Sequence, residues 1–161
     1  MWSMPRGQGG RDGSHEIRPS ARRAGAAGSA TYLITGGAGF IGSHLTDRLA
    51  ARGDRVLVLD DLSAGSRTNL DDAALEGGHR VRLIEGSVLD ADLVDRCMHE
   101  ADACVHLAAA LGVRRVVQHP LETLLTNVRG TDMVMAAANR FGRKLLFASS
   151  SEVYGKRYGS G

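Results

Sequence analysis

Residues 31–44 read Thr31-Tyr-Leu-Ile-Thr-Gly-Gly-Ala-Gly-Phe-Ile-Gly-Ser-His44, a β-prone run that ends in closely spaced glycines and passes directly into an amphipathic segment. This order predicts a strand, a tight turn and a helix. Two overlapping patterns, Gly36-x-x-Gly39-x-x-Gly42 and Gly37-x-Gly39-x-x-Gly42, let the backbone turn sharply and approach a ligand closely. The helix that begins near Phe40 points its N–H groups and its positive end at the turn, which suits a pyrophosphate.

A second apolar strand, Arg55-Val-Leu-Val-Leu-Asp60, ends in an acid. Asp60 follows the last glycine of the turn at about the spacing where a ribose-binding carboxylate belongs in a dinucleotide site. Glycine-rich turns also occur for purely structural reasons. The combination of glycines, helix and acid favours a dinucleotide site over that alternative.

Further β-prone runs cover residues 81–84, 103–107 and 144–148, and they alternate with helical patterns over 89–99 and 121–141. Strands that alternate with helices imply right-handed parallel crossovers. The sequence therefore predicts an α/β fold, a doubly wound parallel sheet of the Rossmann type with strand order 3-2-1-4-5, truncated after about five strands.

Apolar residues at helical spacing predict the buried faces of the first and last helices. In the first helix these residues are Phe40, Ile41, Leu45 and Leu49. In the helix that follows Pro120 they are Leu124, Leu125, Val128 and Met135.

The chain has 161 residues, 43% of them hydrophobic, which suits one domain. Residues 1–30 carry five arginines and little apolar periodicity, so we expect a disordered tail, with an Arg-rich targeting peptide or an overlong start as alternatives. The dinucleotide-binding domain is expected over 31–161. The overall charge is +2, but after residue 30 the chain has 15 basic and 16 acidic residues, so no basic face indicates a nucleic-acid partner. No apolar run reaches the roughly 18 residues that span a membrane. Cys97 and Cys104 form no C-x-x-C, which indicates buried reduced thiols and a cytoplasmic location.

Five blocks together resemble the extended short-chain dehydrogenases/reductases that modify nucleotide sugars. They are Thr35-Gly-Gly-Ala-Gly-Phe-Ile-Gly42, Asp60-Asp-Leu-Ser-Ala-Gly65, Val105-His-Leu-Ala-Ala109, Asn127-Val-Arg-Gly-Thr131 and Ser149-Ser-Ser-Glu-Val-Tyr-Gly155. This group includes UDP-glucose 4-epimerase, UDP-glucuronate decarboxylase and the nucleotide-sugar 4,6-dehydratases. The resemblance covers nearly everything after residue 30 and corresponds to the N-terminal half of such enzymes.

The resemblance implies NAD as cofactor. The positions it assigns to NAD binding are Gly36, Gly39, Phe40, Ile41, Gly42, Asp60, Ser87, Val88, Leu107, Ala108, Ala109 and Asn127. A carboxylate at Asp60 disfavours the 2′-phosphate of NADP. Ser87 stands where the family usually has Asp. For Asn127 the alternative is a polar helix residue turned to solvent, and His106 is expected to be a packed core histidine rather than a base.

The resemblance also implies a catalytic block after the fifth strand. Ser150 aligns with the residue whose hydroxyl binds the sugar 4-oxygen, while Ser151 and Glu152 match the serine and acid of the decarboxylase-like members. The family base lies in a Tyr-x-x-x-Lys motif, which does not occur in these 161 residues. We therefore expect a fragment without a substrate lobe, inactive alone, whose complete form uses a nucleotide sugar (a UDP-sugar) and pairs as a homodimer or with a missing C-terminal partner. The alternative is a non-catalytic NAD-binding or partner-dependent module.

Overall fold

A computed structural model describes residues 29–70, 80–110, 118 and 120–150 of the chain. The expected tail, except for its last two residues, lies outside this described part. Ser151 and Glu152 lie outside it as well.

The described residues form a parallel sheet flanked by helices. The elements in chain order are β1 (Thr31–Thr35), α1 (Phe40–Arg52), β2 (Arg55–Asp60), a 3-10 turn (Arg67–Asn69), β3 (Val81–Glu85), α2 (Ala91–Glu100), β4 (Ala103–His106), α3 (Pro120–Arg140) and β5 (Lys144–Phe147). All strand pairs are parallel, and the order is β3-β2-β1-β4-β5. The predicted fold class and strand order are confirmed.

The helix ends follow the local sequence. Gly53 closes α1 with φ 98°, and its N–H bonds back to the helix, as the left-handed glycine cap of a helix does. Asp90 opens α2, where its side chain accepts a hydrogen bond from the Leu93 N–H at 3.0 Å. Both helix ends therefore follow from the chemistry of a single local residue.

Both faces of the sheet are covered at its centre, which explains why β2 is apolar from Val56 to Leu59. Its residues alternate: Leu57 and Leu59 pack with α2 and α3, whereas Val56 and Val58 pack on the side of α1. The central strand β1 is covered in the same way. The central strands are thus fixed by packing on both faces, and their carboxyl ends lie at the edge where a site can form.

The long helix α3 is buried through small residues, and the predicted burial of its large ones is wrong. Leu124, Leu125, Val128 and Met135 are 38% to 59% exposed. The side chains that pack inward are instead Thr123, Val134, Ala137 and Ala138, with Gly130 between them. The reason is the close approach of the helix, since a Cβ built on Gly130 would lie 2.7 Å from Val88 Cγ2.

The same correction applies at the start of α1. Phe40 and Ile41 are 79% and 68% exposed, so Leu45 and Leu49 carry the packing of this helix. Phe40 and Ile41 therefore lie outside the hydrophobic core.

Cys97 and Cys104 are buried thiols without a disulfide, as predicted. Burial raises the pKa of the Cys104 thiol to about 12. Across the described ranges, no helix is long and apolar enough to span a membrane.

Candidate functional site

A cleft opens at the carboxyl edge of the sheet, where the chain leaves β1 toward one side and β4 toward the other. Such a switch point is where ligands bind in open α/β sheets. The cleft is lined by Gly36, Gly39, Phe40, Leu59, Asp60, Asp61, Ser63, Ala64, Gly65, Gly86, Ser87, Val88, Leu107, Ala108, Ala109, Ala110, Thr126 and Asn127. All of the predicted cofactor positions are among them except Ile41 and Gly42.

Two glycines of the turn are required by protein packing. Gly36 has φ 71°, and a Cβ on it would lie 2.7 Å from the Ala108 backbone nitrogen. A Cβ on Gly42 would lie 2.3 Å from the Gly36 carbonyl oxygen. Gly36 therefore permits the turn, and Gly42 permits α1 to pack on it.

Gly39 differs from these two glycines. Its φ of −77° and ψ of 175° suit any residue, and a Cβ there would have one neighbour within 4 Å, the Gly36 oxygen at 3.3 Å. Gly39 is the N-cap of α1 and makes no side-chain cap hydrogen bond. The first N–H groups of the helix therefore stay available at the cleft, as an anion site requires.

Asp60 is 8% exposed and holds two backbone segments at once. Its Oδ2 accepts a hydrogen bond from the Ala38 N–H at 2.9 Å, and its Oδ1 accepts one from the Leu62 N–H at 2.9 Å. Leu62 has φ 57°, an uncommon value for a non-glycine residue. Each carboxylate oxygen keeps a further acceptor direction, so a ligand hydroxyl can also be bound.

The loop after β2 is joined to the glycine turn through one peptide group. The Ala38 carbonyl accepts hydrogen bonds from the Ser66 N–H at 3.0 Å and from Asn69 Nδ2 at 2.8 Å. A Cβ on Gly65 would lie 2.8 Å from the same oxygen. The loop that follows β2 is therefore hydrogen-bonded to the glycine turn.

Ser87 and Val88 line the cleft from the end of β3. The Ser87 hydroxyl accepts a hydrogen bond from the Leu89 N–H at 3.2 Å, and the Ser87 carbonyl accepts one from the Asp90 N–H at 3.1 Å. Ser87 thus shapes the entry into α2, a local role that the sequence alone did not reveal.

The opposite wall is the segment 107–110, which is fixed at two points. The Ala108 N–H donates to Thr35 Oγ1 at 3.3 Å. Asn127 binds both backbone groups of Ala110: its Oδ1 accepts from the N–H at 2.6 Å and its Nδ2 donates to the carbonyl at 3.3 Å. Asn127 is therefore not a solvated helix residue, and it contacts the wall of the cleft.

His106 is 2% exposed and lies directly behind this wall. Its Nδ1 is 2.6 Å from Thr35 Oγ1, its Nε2 is 3.1 Å from Thr131 Oγ1, and its ring stacks on Phe147 with centroids 5.8 Å apart. Burial lowers the pKa of the imidazole. The prediction of a packed core histidine is confirmed.

Of the predicted catalytic residues, Ser150 is described: it is exposed and follows β5 at the same sheet edge as the cleft. Within the described residues, no group of three or more His, Cys, Asp or Glu side chains could hold a metal ion.

A parallel sheet of this order, with a glycine turn that opens a helix and an acid at the end of the next strand, defines a dinucleotide-binding Rossmann fold. The chain belongs to the NAD dependent epimerase/dehydratase family, whose model matches residues 32–160. The family is NAD-dependent, which confirms the predicted cofactor. The resemblance drawn from the five sequence blocks is likewise confirmed.

Named relatives have related activities. The chain is 40% identical over 124 residues to the UDP-N-acetyl-alpha-D-glucosaminuronate decarboxylase of Bacillus cytotoxicus, covering 77% of this chain and 37% of that protein. It is 37% identical over 149 residues to UDP-glucuronic acid decarboxylase 1 of Arabidopsis thaliana, covering 92% of this chain and 31% of that protein. The chain thus spans about a third of the length of these curated relatives.

The fold is also similar to solved structures. DesIV of Streptomyces venezuelae, a dTDP-glucose 4,6-dehydratase crystallised with NAD and TYD, has a TM-score of 0.73 and 38% identity. The match covers 81% of this chain and 42% of DesIV. The described sheet therefore corresponds to part of a larger enzyme in this relative.

Proposed function

We propose that this chain is the NAD-binding part of an enzyme that modifies a nucleotide sugar by transient oxidation at C4. One observation carries the proposal: a single cleft joins an open helix N-terminus at Gly39, a buried acid at Asp60 and an apolar wall at 107–110. The decarboxylase and dehydratase names of the relatives support the substrate class.

The two halves of a dinucleotide fit the two sides of the cleft. The N–H groups at the start of α1 would bind the pyrophosphate, because Gly39 carries no side chain to fill that space. Asp60 would accept the hydroxyls of the adenosine ribose through the acceptor directions that Ala38 and Leu62 leave open. A 2′-phosphate beside this carboxylate would be repelled, so NAD is preferred to NADP.

Leu107, Ala108 and Ala109 would line the nicotinamide side and exclude water from it. A nicotinamide held by this wall would supply a reversible hydride acceptor for the sugar. Asn127 would hold this wall in place through its two bonds to Ala110. Gly36, Phe40, Ile41, Gly42, Ser87 and Val88 complete the set assigned to the cofactor.

The proposed catalytic block begins at Ser150, an exposed residue whose hydroxyl would bind the sugar 4-oxygen. Ser151 and Glu152 would contribute a second hydroxyl and a carboxylate for proton transfer. These 161 residues contain no Tyr-x-x-x-Lys, so we propose that this polypeptide alone does not complete the reaction. The remaining steps, and the choice among epimerase, decarboxylase and dehydratase, then depend on residues supplied beyond this sequence or by a partner.

Calorimetry with NAD and NADP tests the cofactor assignment. The change Asp60→Asn puts an amide N–H₂ against one of two backbone N–H donors and removes the charge, so we expect roughly tenfold or more weaker NAD binding. Asp102→Asn is the matched control, because Asp102 also accepts a backbone hydrogen bond, from the Thr31 N–H at 2.8 Å, but at the opposite edge of the sheet. Equal affinity in parent and Asp60→Asn, or a preference for NADP in the parent, would refute the assignment.

The catalytic part is tested separately with UDP-glucose and UDP-glucuronate, by following both sugars with proton NMR after NAD has been added. NAD binding without turnover is the expected result. Turnover by the purified chain would overturn the proposed incompetence. Absence of NAD binding would instead refute the cleft assignment itself.

A further inference from the structure

Three polar side chains, two of them buried and the third half-buried, connect three elements behind the cleft wall. Thr35 ends β1 and is 0% exposed, His106 ends β4, and Thr131 lies on α3. The hydrogen bonds run from Thr35 to His106 at 2.6 Å and from His106 to Thr131 at 3.1 Å. A chain of this kind must place each proton on a partner, since a buried polar hydrogen without an acceptor is costly.

The contacts of Thr35 decide the tautomer of the histidine. Thr35 Oγ1 already accepts the Ala108 N–H, and within the described residues the one acceptor in reach of its own hydroxyl hydrogen is His106 Nδ1. Nδ1 then carries no proton, so the neutral ring carries it on Nε2. Nε2–H donates to Thr131 Oγ1, so both ring nitrogens of His106 have a hydrogen-bond partner.

These hydrogen bonds are connected to the ones that hold the segment 107–110. Thr131 lies one helical turn after Asn127 on α3, so the two side chains share a helix face. Asn127 holds Ala110, and Ala110 is joined through the backbone to Ala108, which is held by Thr35. His106 therefore contacts α3 at Thr131, and α3 contacts the wall of the cleft one helical turn earlier, through Asn127.

We propose that His106, as the neutral Nε2–H tautomer, is a positioning residue: through Thr131 it sets the placement of α3 so that Asn127 holds the wall at Ala110. The effect of this arrangement on NAD rests on the proposed function of the cleft. The tautomer and the rigidity of the wall do not depend on it.

The first test uses the unmodified chain. Long-range ¹H–¹⁵N NMR correlations identify which imidazole nitrogen of His106 carries the proton. We expect the Nε2–H form near neutral pH. An Nδ1–H form, or a charged ring, overturns the proposal without any variant.

The second test removes one acceptor while keeping its shape. In Thr131→Val, hydrogen exchange of the Ala110 amide should accelerate by roughly fivefold to tenfold, the factor for one ordinary hydrogen bond. Thr131→Ser should restore the slow exchange. Thr46→Val is the control for the same substitution, because Thr46 is a buried helix threonine whose hydroxyl donates to the Gly42 carbonyl at 2.9 Å in α1 rather than to a group near the wall.

Three outcomes are distinguished. Faster Ala110 exchange in Thr131→Val alone, together with roughly threefold to tenfold weaker NAD binding, supports the proposal. Unchanged Ala110 exchange, or equal acceleration in Thr46→Val, overturns it. If the parent binds no NAD while the exchange result holds, the positioning role stands and the proposed function fails.

Discussion

The substitution Gly39→Ser tests whether Gly39 is required for ligand binding or for folding. The backbone at Gly39 suits any residue, and the added Cβ would meet the Gly36 oxygen alone, at 3.3 Å. Serine is a favourable N-cap residue, and it differs from glycine there by a few tenths of a kcal/mol. We therefore expect the free energy of unfolding to change by less than about 1 kcal/mol.

In contrast to the small effect on stability, we expect Gly39→Ser to weaken NAD binding. The serine side chain fills the space in front of the first N–H groups of α1 and accepts one of their hydrogen bonds. The pyrophosphate would then lose a charge-assisted hydrogen bond of about 1.5–3 kcal/mol, which corresponds to roughly 10- to 100-fold weaker NAD binding. Calorimetric titration with NAD measures this loss directly.

Gly42→Ser is the matched control for the same side chain. Its Cβ would lie 2.3 Å from the Gly36 oxygen and 2.6 Å from the Gly37 Cα, and these backbone atoms cannot rotate away. We expect a loss of about 2–3 kcal/mol, which lowers the melting temperature by roughly 5–10 °C. The reasoning fails if Gly39→Ser melts as early as Gly42→Ser, or if it binds NAD as tightly as the parent.

The remaining predictions concern stability. Because burial lowers the pKa of His106 below its ordinary 6.5, the unfolded chain takes up the proton first, and this contribution to stability is lost as pH falls from about 6.5 toward the native pKa. An NMR titration of the ring that gives a pKa of 6.5 or above would contradict it. On α3, Val134→Ala should cost about 2 kcal/mol because Val134 is 0% exposed, whereas Leu124→Ala should cost less than about 1 kcal/mol because Leu124 is 59% exposed. Urea unfolding compares the two, and equal losses would show that the helix packs through its large residues.

The strands, their order and the glycine turn could be predicted because their signals are local. Apolar runs, glycine spacing and the acid that ends β2 all lie within short windows of sequence. The buried face of α3 could not, because the large apolar residues that mark a buried helix face lie outward here. At Gly130 the helix comes close to Val88 in the loop after β3, and this close approach favours small residues on that face.

The polar contacts behind the cleft were also missed, and for a different reason. Thr35 and His106 are 71 residues apart, and His106 and Thr131 are 25 residues apart, so no periodic pattern connects them. One local signal was present. A histidine inside an apolar strand has to find polar partners, and threonines at the end of a neighbouring strand and on the covering helix were candidates.

The two backbone polar groups of Ala38 limit how this region can change in evolution. Its N–H is held by Asp60, and its carbonyl is held by Ser66 and Asn69. Surface loops ordinarily absorb insertions and deletions at little cost. Here a change of length between residues 62 and 69 would pull on the glycine turn itself, so this loop should vary in side chains while keeping its length, and new segments should enter elsewhere on the sheet edge.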